Sequence, residues 1–287
     1  MMSTNRDSKE SKVMNAPKIL ITGASGFIGN SLYWHLNRLA PVGTYFSSTN
    51  TSRPTNWVQA DIRSNLQVVD LLQVHQPDII FHFAALPSPK RNNVNPILGE
   101  ETNLLGTRHI VANLPLSTHL IFLSTDKVFD GSFLFPTENT SPSPVTLYGT
   151  YKYKCEALIQ STLKKFHILR IGNVHALGDS ASNSFIDKAI IKLRSNQQVQ
   201  AFENVSRSYI RLEDLVGVLT SLMDDGHYGI YHLGSPLKSY FDRIRDLCEE
   251  TGIEWRGNLM AASGDILPKT QNLNVEKIKK LLDRTFT

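Results

Sequence analysis

Lys18-Ile19-Leu20-Ile21-Thr22-Gly23-Ala24-Ser25-Gly26-Phe27-Ile28-Gly29 decides how the rest of the chain is read. Ile19 to Ile21 is a short apolar run of the kind that forms a strand buried on both faces. Three glycines follow at a spacing of three, and Phe27, Ile28, Leu32, Leu36 and Leu39 then recur with helical period. Strand, glycine turn and helix in that order form the phosphate-binding start of a dinucleotide fold. Gly23 permits the tight turn, Gly26 lets the backbone approach a pyrophosphate, and Gly29 lets the helix pack closely on the strand. The helix N-terminus presents free N–H groups and the positive end of its dipole to the phosphates. Ser25, Phe27 and Ile28 join Gly23 and Gly26 as candidate cofactor contacts.

The chain has 287 residues, enough for one large domain with a smaller lobe. Its hydrophobic share of 41% and charged share of 20% are those of an ordinary globular protein. The net charge of +4 is not gathered into a basic run, which argues against a nucleic-acid partner. Cys155 and Cys248 lie far apart without metal-ligand spacing, as expected of free thiols in a reducing cytoplasm. No apolar run approaches the ~20 residues of a membrane span. Met1 to Ala16 is polar and lacks the apolar core of a secretory signal, so it reads as a flexible tail.

Downstream, Pro41 to Phe46 reads as a second strand that ends in Ser47 and Ser48. An acidic residue near this strand end holds the adenine ribose where NAD is preferred. None occurs between Gly29 and Asp61; Thr44, Ser47, Ser48 and Arg53 stand there instead and suit a 2′-phosphate. NADP(H) is therefore the expected cofactor, with NAD(H) the alternative. Trp57 to Ala60 is a third strand, leading into Asp61-Ile62, and a helix spans Asn65 to Val74. Asp78 to Phe83 is a fourth, ending in His82-Phe83-Ala84-Ala85, where the small Ala84 and Ala85 let a cofactor reach the backbone. His82, inside an apolar strand, reads as a hydrogen-bonded core residue rather than a base. Ile97 to Leu114 is helical in period, and His119 to Leu123 is a fifth strand.

Tyr148 and Lys152 stand four residues apart near the start of a helix expected over Leu147 to Thr162, and so share one face. A phenol titrates near ~10 and exchanges protons poorly at neutral pH unless its anion is stabilised. A neighbouring ammonium lowers that value. Tyr148 can then trade a proton with a substrate oxygen while a nicotinamide trades a hydride. The pair follows a strand ending in Ser124-Thr125, and Thr125 is placed to hydrogen-bond the same oxygen. The candidate catalytic set is Thr125, Tyr148 and Lys152.

Ser124-Thr125-Asp126-Lys127-Val128-Phe129-Asp130-Gly131, then Tyr148-Gly149-x-x-Lys152 and Glu156, resembles the dTDP-4-dehydrorhamnose reductase group of extended short-chain dehydrogenase/reductases. The glycine spacing, the Phe81-His82-Phe83-Ala84-Ala85 strand end and Asn103 before Gly106-Thr107 are similar to that family. So are Leu169 to Val174, Ser208 to Leu215 and Gly229 to Gly234, and the likeness covers Lys18 to Thr251. It implies a doubly wound α/β parallel sheet of Rossmann type over residues 17–170, with 171–287 mostly a small substrate lobe interleaved with the sheet. It implies that Asp61 contacts the adenine amino group with Ile62 against the ring, and that Asn103 is structural. It also implies a nucleotide-sugar substrate near Asp126, Lys127 and Asn173, and a homodimer through packed helices. Two positions depart from the pattern: Lys127 and His175 stand where the family carries Tyr. The carboxylate pair that the related 4,6-dehydratases place after the Thr is also absent, which disfavours a dehydratase.

In the last third, Ser184 to Arg194 reads as an amphipathic helix, Gln198 to Phe202 as a strand, and Leu212 to Met223, Tyr240 to Glu250 and Val275 to Leu282 as helices. Alternation puts Arg207, Tyr209 and Arg211 on one side of an extended segment, where Arg207 and Arg211 can grip a diphosphate. His167, His227 and His232 lack ligand spacing, so no metal is expected. The expected reaction is NAD(P)H-dependent reduction of a 4-keto group on a nucleotide-linked deoxysugar. The rivals are a nucleotide-sugar epimerase with bound NAD and a regulatory subunit that binds NADP and a partner enzyme without turnover.

Overall fold

A computed structural model describes residues 16–47, 53–178, 182, 184–265 and 268–283. The expected tail therefore lies, up to residue 15, outside the described residues, as does Ser48. In chain order the elements begin β1 (Ile19–Thr22), α1 (Phe27–His35), β2 (Val42–Tyr45), β3 (Trp57–Gln59), α2 (Asn65–His75) and β4 (Ile79–His82). Next come α3 (Pro89–Val94), α4 (Pro96–Glu100), a π-helical turn (Glu101–Leu105), α5 (Gly106–Asn113), β5 (His119–Thr125), α6 (Leu147–Thr162) and β6 (Phe166–Ile171). The remainder is β7 (Asn173–His175), α7 (Phe185–Arg194), β8 (Val199–Phe202), β9 (Ser206–Arg207), β10 (Tyr209–Arg211), α8 (Leu212–Ser221), β11 (Gly229–Leu233), β12 (Lys238–Ser239), α9 (Tyr240–Thr251), β13 (Leu259–Ala262), β14 (Thr270–Gln271) and α10 (Glu276–Leu282).

β1 to β6 and β11 build one parallel sheet in the order 3-2-1-4-5-6-11. Its strands are apolar on both faces because helices cover both. Ile19, Ile21, Phe81, Ile121 and Leu169 face the side that holds Leu32 of α1 and Leu215 and Leu219 of α8. Leu20, Ile80, Leu120, Phe122 and Ile168 face the side of α2, α5 and α6. The strand order reverses direction between β1 and β4, and the crevice above their carboxyl ends is where such sheets take ligands.

The remaining strands form small sheets of a lesser lobe. β7 pairs with β10, β8 with β13, and β9 with both β12 and β14. Ile186, Ile190, Tyr209, Ile244 and Leu247 fill a core between α7 and α9. Between β10 and β12 the chain returns to the main core through α8 and β11, and Ile278 of α10 lies in that core too. The helix expected from Ile97 instead begins at Pro96, capped by the Asn95 side chain, and carries the π-helical turn in its middle.

Candidate functional site

Gly23 adopts φ +71°, and a Cβ there would lie 2.7 Å from the Ala84 backbone nitrogen. A Cβ on Gly29 would lie 2.3 Å from the Gly23 carbonyl oxygen. Both glycines are thus required by close approach, and they bring the β1–α1 turn against the end of β4. Helix α1 starts at Phe27 with no side-chain cap and no acidic residue in its first turn, whereas Ser64, Thr146, Ser184 and Ser239 cap α2, α6, α7 and α9. Its first N–H groups are left for an anion. Ser25 and Gly26 are exposed there and Phe27, Ile28, Ala84 and Ala85 half-buried, so these residues fit a dinucleotide pyrophosphate.

Two guanidinium groups flank the far end of this crevice. Arg53 lies 3.9 Å over the Tyr45 ring, and Arg63 lies 4.9 Å over the Phe46 ring. Ser47 is exposed beside them. Arg63 also grips Asp61 with Nε 2.9 Å from Oδ1 and Nη2 2.7 Å from Oδ2, which holds the Asp61 carboxyl below the usual range. Sequence reasoning missed Arg63. The signal available was an Arg two residues after an Asp, the spacing of a local side-chain turn. Ile62 is buried, and a Cβ on Gly106 would meet its Cδ1 at 2.6 Å. His82 is the core residue its strand suggested: Nδ1 meets Thr22 Oγ1 at 2.7 Å and Nε2 meets Thr107 Oγ1 at 3.0 Å. Burial, aided by Lys152, pushes its pKa down to about 3, so it stays neutral. Asn103 accepts a bond from Leu86 N at 2.8 Å and donates to Asn92 Oδ1 at 2.9 Å, tying down the loop after β4.

The carboxyl end of β5 turns directly into Asp126-Lys127-Val128. Thr125 Oγ1 accepts from Lys127 N at 3.2 Å and donates to Asp126 Oδ1 at 3.0 Å. The hydroxyl that the sequence reading assigns to a substrate oxygen is thus given to Asp126 in this structure. Lys127 Nζ reaches the same Asp126 oxygen at 3.2 Å, while buried Asp126 Oδ2 has no partner among the described residues. Helix α6 begins against this turn, since a Cβ on Gly149 would lie 2.1 Å from the Lys127 carbonyl oxygen. Lys152 Nζ donates to Leu123 O at 2.7 Å and lies 4.3 Å from the Phe122 ring centroid. Burial lowers its pKa to about 8.

Tyr148 is buried, and its pKa is raised by that burial and by the Asp126 carboxylate, opposite to the lowering expected from Lys152 alone. Desolvation, reinforced by the neighbouring carboxylate, sets this direction. One turn further along α6, Glu156 accepts from Ser124 Oγ and from Arg170 through Nε and Nη2, the latter at 2.7 Å. Ser124 and Arg170 are register partners across β5 and β6. This buried ion pair clamps α6 to the strand that carries Thr125.

In the lobe the expected pairing of arginines does not form. Ser208 divides the segment, so Arg207 ends in β9 and Arg211 in β10. Arg207 is buried and donates to the carbonyls of Ser206, Pro268 and Lys269 at 2.8, 2.9 and 3.0 Å. Arg211 instead pairs with Glu250 on α9. Asn173 donates to Tyr240 Oη at 3.1 Å, and His175 is fully buried. Among the described residues no group of three or more His, Cys, Asp or Glu is arranged to hold a metal, and no helix is long and apolar enough to cross a membrane.

Over 183 residues the chain is 30% identical to methionine adenosyltransferase 2 subunit beta of Rattus norvegicus, covering 60% of this chain and 52% of that protein. The chain thus spans about half the length of that relative. It is 28% identical over 247 residues to the spore coat polysaccharide biosynthesis protein SpsK of Bacillus subtilis, covering 83% and 80%. The fold matches that of dTDP-4-dehydrorhamnose reductase from Bacillus anthracis, solved in complex with NADP, at a TM-score of 0.81 and 22% identity over 94% of each chain. Residues 19–234 match the model of the NAD dependent epimerase/dehydratase family, and the chain, an extended short-chain dehydrogenase/reductase, belongs to that family.

Proposed function

We propose that this protein reduces a 4-keto group on a nucleotide-linked deoxysugar with NADPH. The observation that carries the reading is the docking of α6 on the carboxyl end of β5. It sets Tyr148 and Lys152 beside the Thr125–Asp126 turn, above the crevice between β1 and β4. NADPH is favoured over NADH because Arg53 and Arg63 flank the end of β2 and Asp61 is neutralised by Arg63. Gly23, Ser25, Gly26, Phe27 and Ile28 hold the pyrophosphate, with Ala84 and Ala85 along the crevice wall.

Bound NADPH supplies the hydride to the carbonyl carbon. Tyr148 gives its proton to the carbonyl oxygen, so that ketone, hydride and proton balance to an alcohol. Lys152, charged below about pH 8, stabilises the phenolate left behind. Thr125 turns its hydroxyl from Asp126 to the substrate oxygen, and Lys127 takes over the carboxylate it leaves.

A second reading, a regulatory subunit that binds NADP, is favoured by the likeness to a protein named as a subunit. One experiment separates the two: NADPH absorbance followed with a dTDP-4-keto-6-deoxysugar, with Tyr148→Phe as the control. Consumption that disappears in the variant supports the reductase. NADPH that binds and is not consumed across nucleotide sugars sinks it and puts the regulatory subunit first.

A further inference from the structure

The chain leaves the main sheet for the lobe at Gly172, between β6 and β7, and again at Gly234 and Ser235, between β11 and β12. Ser208, between β9 and β10, meets both exits. Its N–H donates to Gln271 O at 3.1 Å, its carbonyl accepts from Asn173 N at 2.9 Å, and its Oγ donates to Ser235 O at 2.7 Å. Ser235 completes the clasp: its Oγ accepts from Tyr209 N at 3.2 Å, and its N–H donates to Tyr209 O at 2.6 Å. A Cβ on Gly172 would lie 2.4 Å from Ser208 O, and one on Gly234 would lie 2.1 Å from Ser208 Oγ. Both exits thus approach Ser208 more closely than a residue with a side chain allows.

These are the positions where a swinging lobe would bend, because hinges are the few residues at element ends that absorb large backbone rotations. Here Gly172, Ser208, Gly234 and Ser235 are all buried, and every polar group of Ser208 is engaged. Bending them would strand buried N–H and carbonyl groups and open a gap at a close-packed point. One clasped point alone would still permit rotation about it. A second attachment removes that freedom, by tying the segment around β14 to the loop that leaves β5. Asn272 Nδ2 donates to Leu134 O at 3.0 Å, and Asn274 N donates to Pro136 O at 2.9 Å. Gly131, at φ +84°, lies so near this segment that a Cβ there would be 2.4 Å from Pro268 Cβ.

We propose that Ser208 is a conformational lock that fixes the angle of the lobe on the sheet, so that ligands are taken up without rigid-body closure of the lobe. The lock belongs to the frame of the molecule and holds whatever reaction follows.

Distances between two spin labels on the full chain test it. Asp70→Cys on α2 and Glu249→Cys on α9 are exposed positions on the sheet body and the lobe, and Cys155 and Cys248 are buried and stay unlabelled. Pulsed electron resonance is expected to give one narrow distance distribution that does not shift when saturating NADP+ is added, alone or with dTDP. Ser208→Ala, which leaves Ser235 O unpaired, is expected to broaden it. Gly234→Ala, which drives a methyl group into Ser208 Oγ, should do the same and serves where Ser208→Ala does not fold. Several distances in the unligated chain overturn the lock, as does a peak that shifts on adding either ligand. An unchanged distribution in a folded Ser208→Ala overturns it too, because something other than Ser208 then holds the lobe. If neither variant folds, the labelled chain with its junction intact decides through the number of its distances. No readout involves turnover, so the lock and the reductase reading can fail separately.

Discussion

Tyr148 is held in a protonation state that suits a proton donor. Burial and Asp126 raise its pKa, so the phenol is intact across the physiological range until positive charge arrives beside it. In Tyr148→Phe, NADPH oxidation should fall by roughly a hundredfold or more while NADPH still binds, read as kcat against cofactor Kd. Lys152 makes a complementary prediction in the free protein. Its pKa is about 8 in the fold against 10.5 as the ordinary value, so between these values the unfolded chain binds the proton and the native chain does not. Stability contributed at this position therefore rises with pH across that window. It should shift by up to about 3 kcal/mol in favour of the wild type relative to Lys152→Met. Urea titrations of both proteins at pH 7.5 and about 10 check this, and a constant difference would show that the amine does not titrate there. That Tyr148 and Lys152 share one helix was readable in the sequence, because a spacing of four puts two side chains on one helix face. Arg63 offered only the local signal of Asp61 two residues before it, and Arg243 offered none, since its partner His175 is brought near by the fold.

Helix α6 was legible as an element to both ends, because Thr146 caps it and its apolar face repeats with helical period. What periodicity could not reveal is how tightly it docks. Gly149→Ala would drive a methyl group into the Lys127 carbonyl, so α6 must lift from the Thr125–Asp126 turn. A loss of about 1–3 kcal/mol is expected, with activity falling further than stability; an active, equally stable variant would refute the close docking. Glu156→Gln attacks the same contact from behind by stranding buried Arg170, at a cost of about 3–5 kcal/mol in urea unfolding. The lobe was less legible. β7, β9 and β10 are two or three residues long, too short for alternation to show, and their pairing partners come from distant segments. Ser208, fully buried, is where one extended run splits between two ladders, and this is why Arg207 and Arg211 part.

At the scale of the whole molecule, several histidines are buried in neutral form. His82, His175 and His232 are pushed down to about 3 and His119 to about 4, in each case chiefly by burial. As pH falls below ~6.5 the unfolded chain takes up protons that the native chain refuses, so stability drops with acidity. Each histidine contributes up to about 1.4 kcal/mol per pH unit. The urea midpoint should therefore fall steeply between pH 6.5 and 5, above the range where carboxylates titrate; a flat midpoint there would show that these rings accept protons in the fold. The doubly wound sheet itself was legible, because strands buried on both faces are written as unbroken apolar runs. The return of the chain was expected only as a lobe interleaved with the sheet; that Gly229 to Leu233 is the returning strand was not legible, since it becomes one by meeting β6.

That return has a consequence for biosynthesis. A ribosome delivers β1, β4 and β5 first, and the helix with Tyr148 and Lys152 is complete at residue 162. The outer side of β6 then waits as an open strand edge until residues 229–233 emerge to pair with it. The carbonyls that receive Arg207 come later still, with residues 268 and 269. The helix that carries Tyr148 and Lys152 is thus assembled on a nascent chain whose flank is still a template for pairing with other chains. Nascent chains stalled after β6 has emerged but before β11 has should be captured by chaperones far more than chains from which both have emerged.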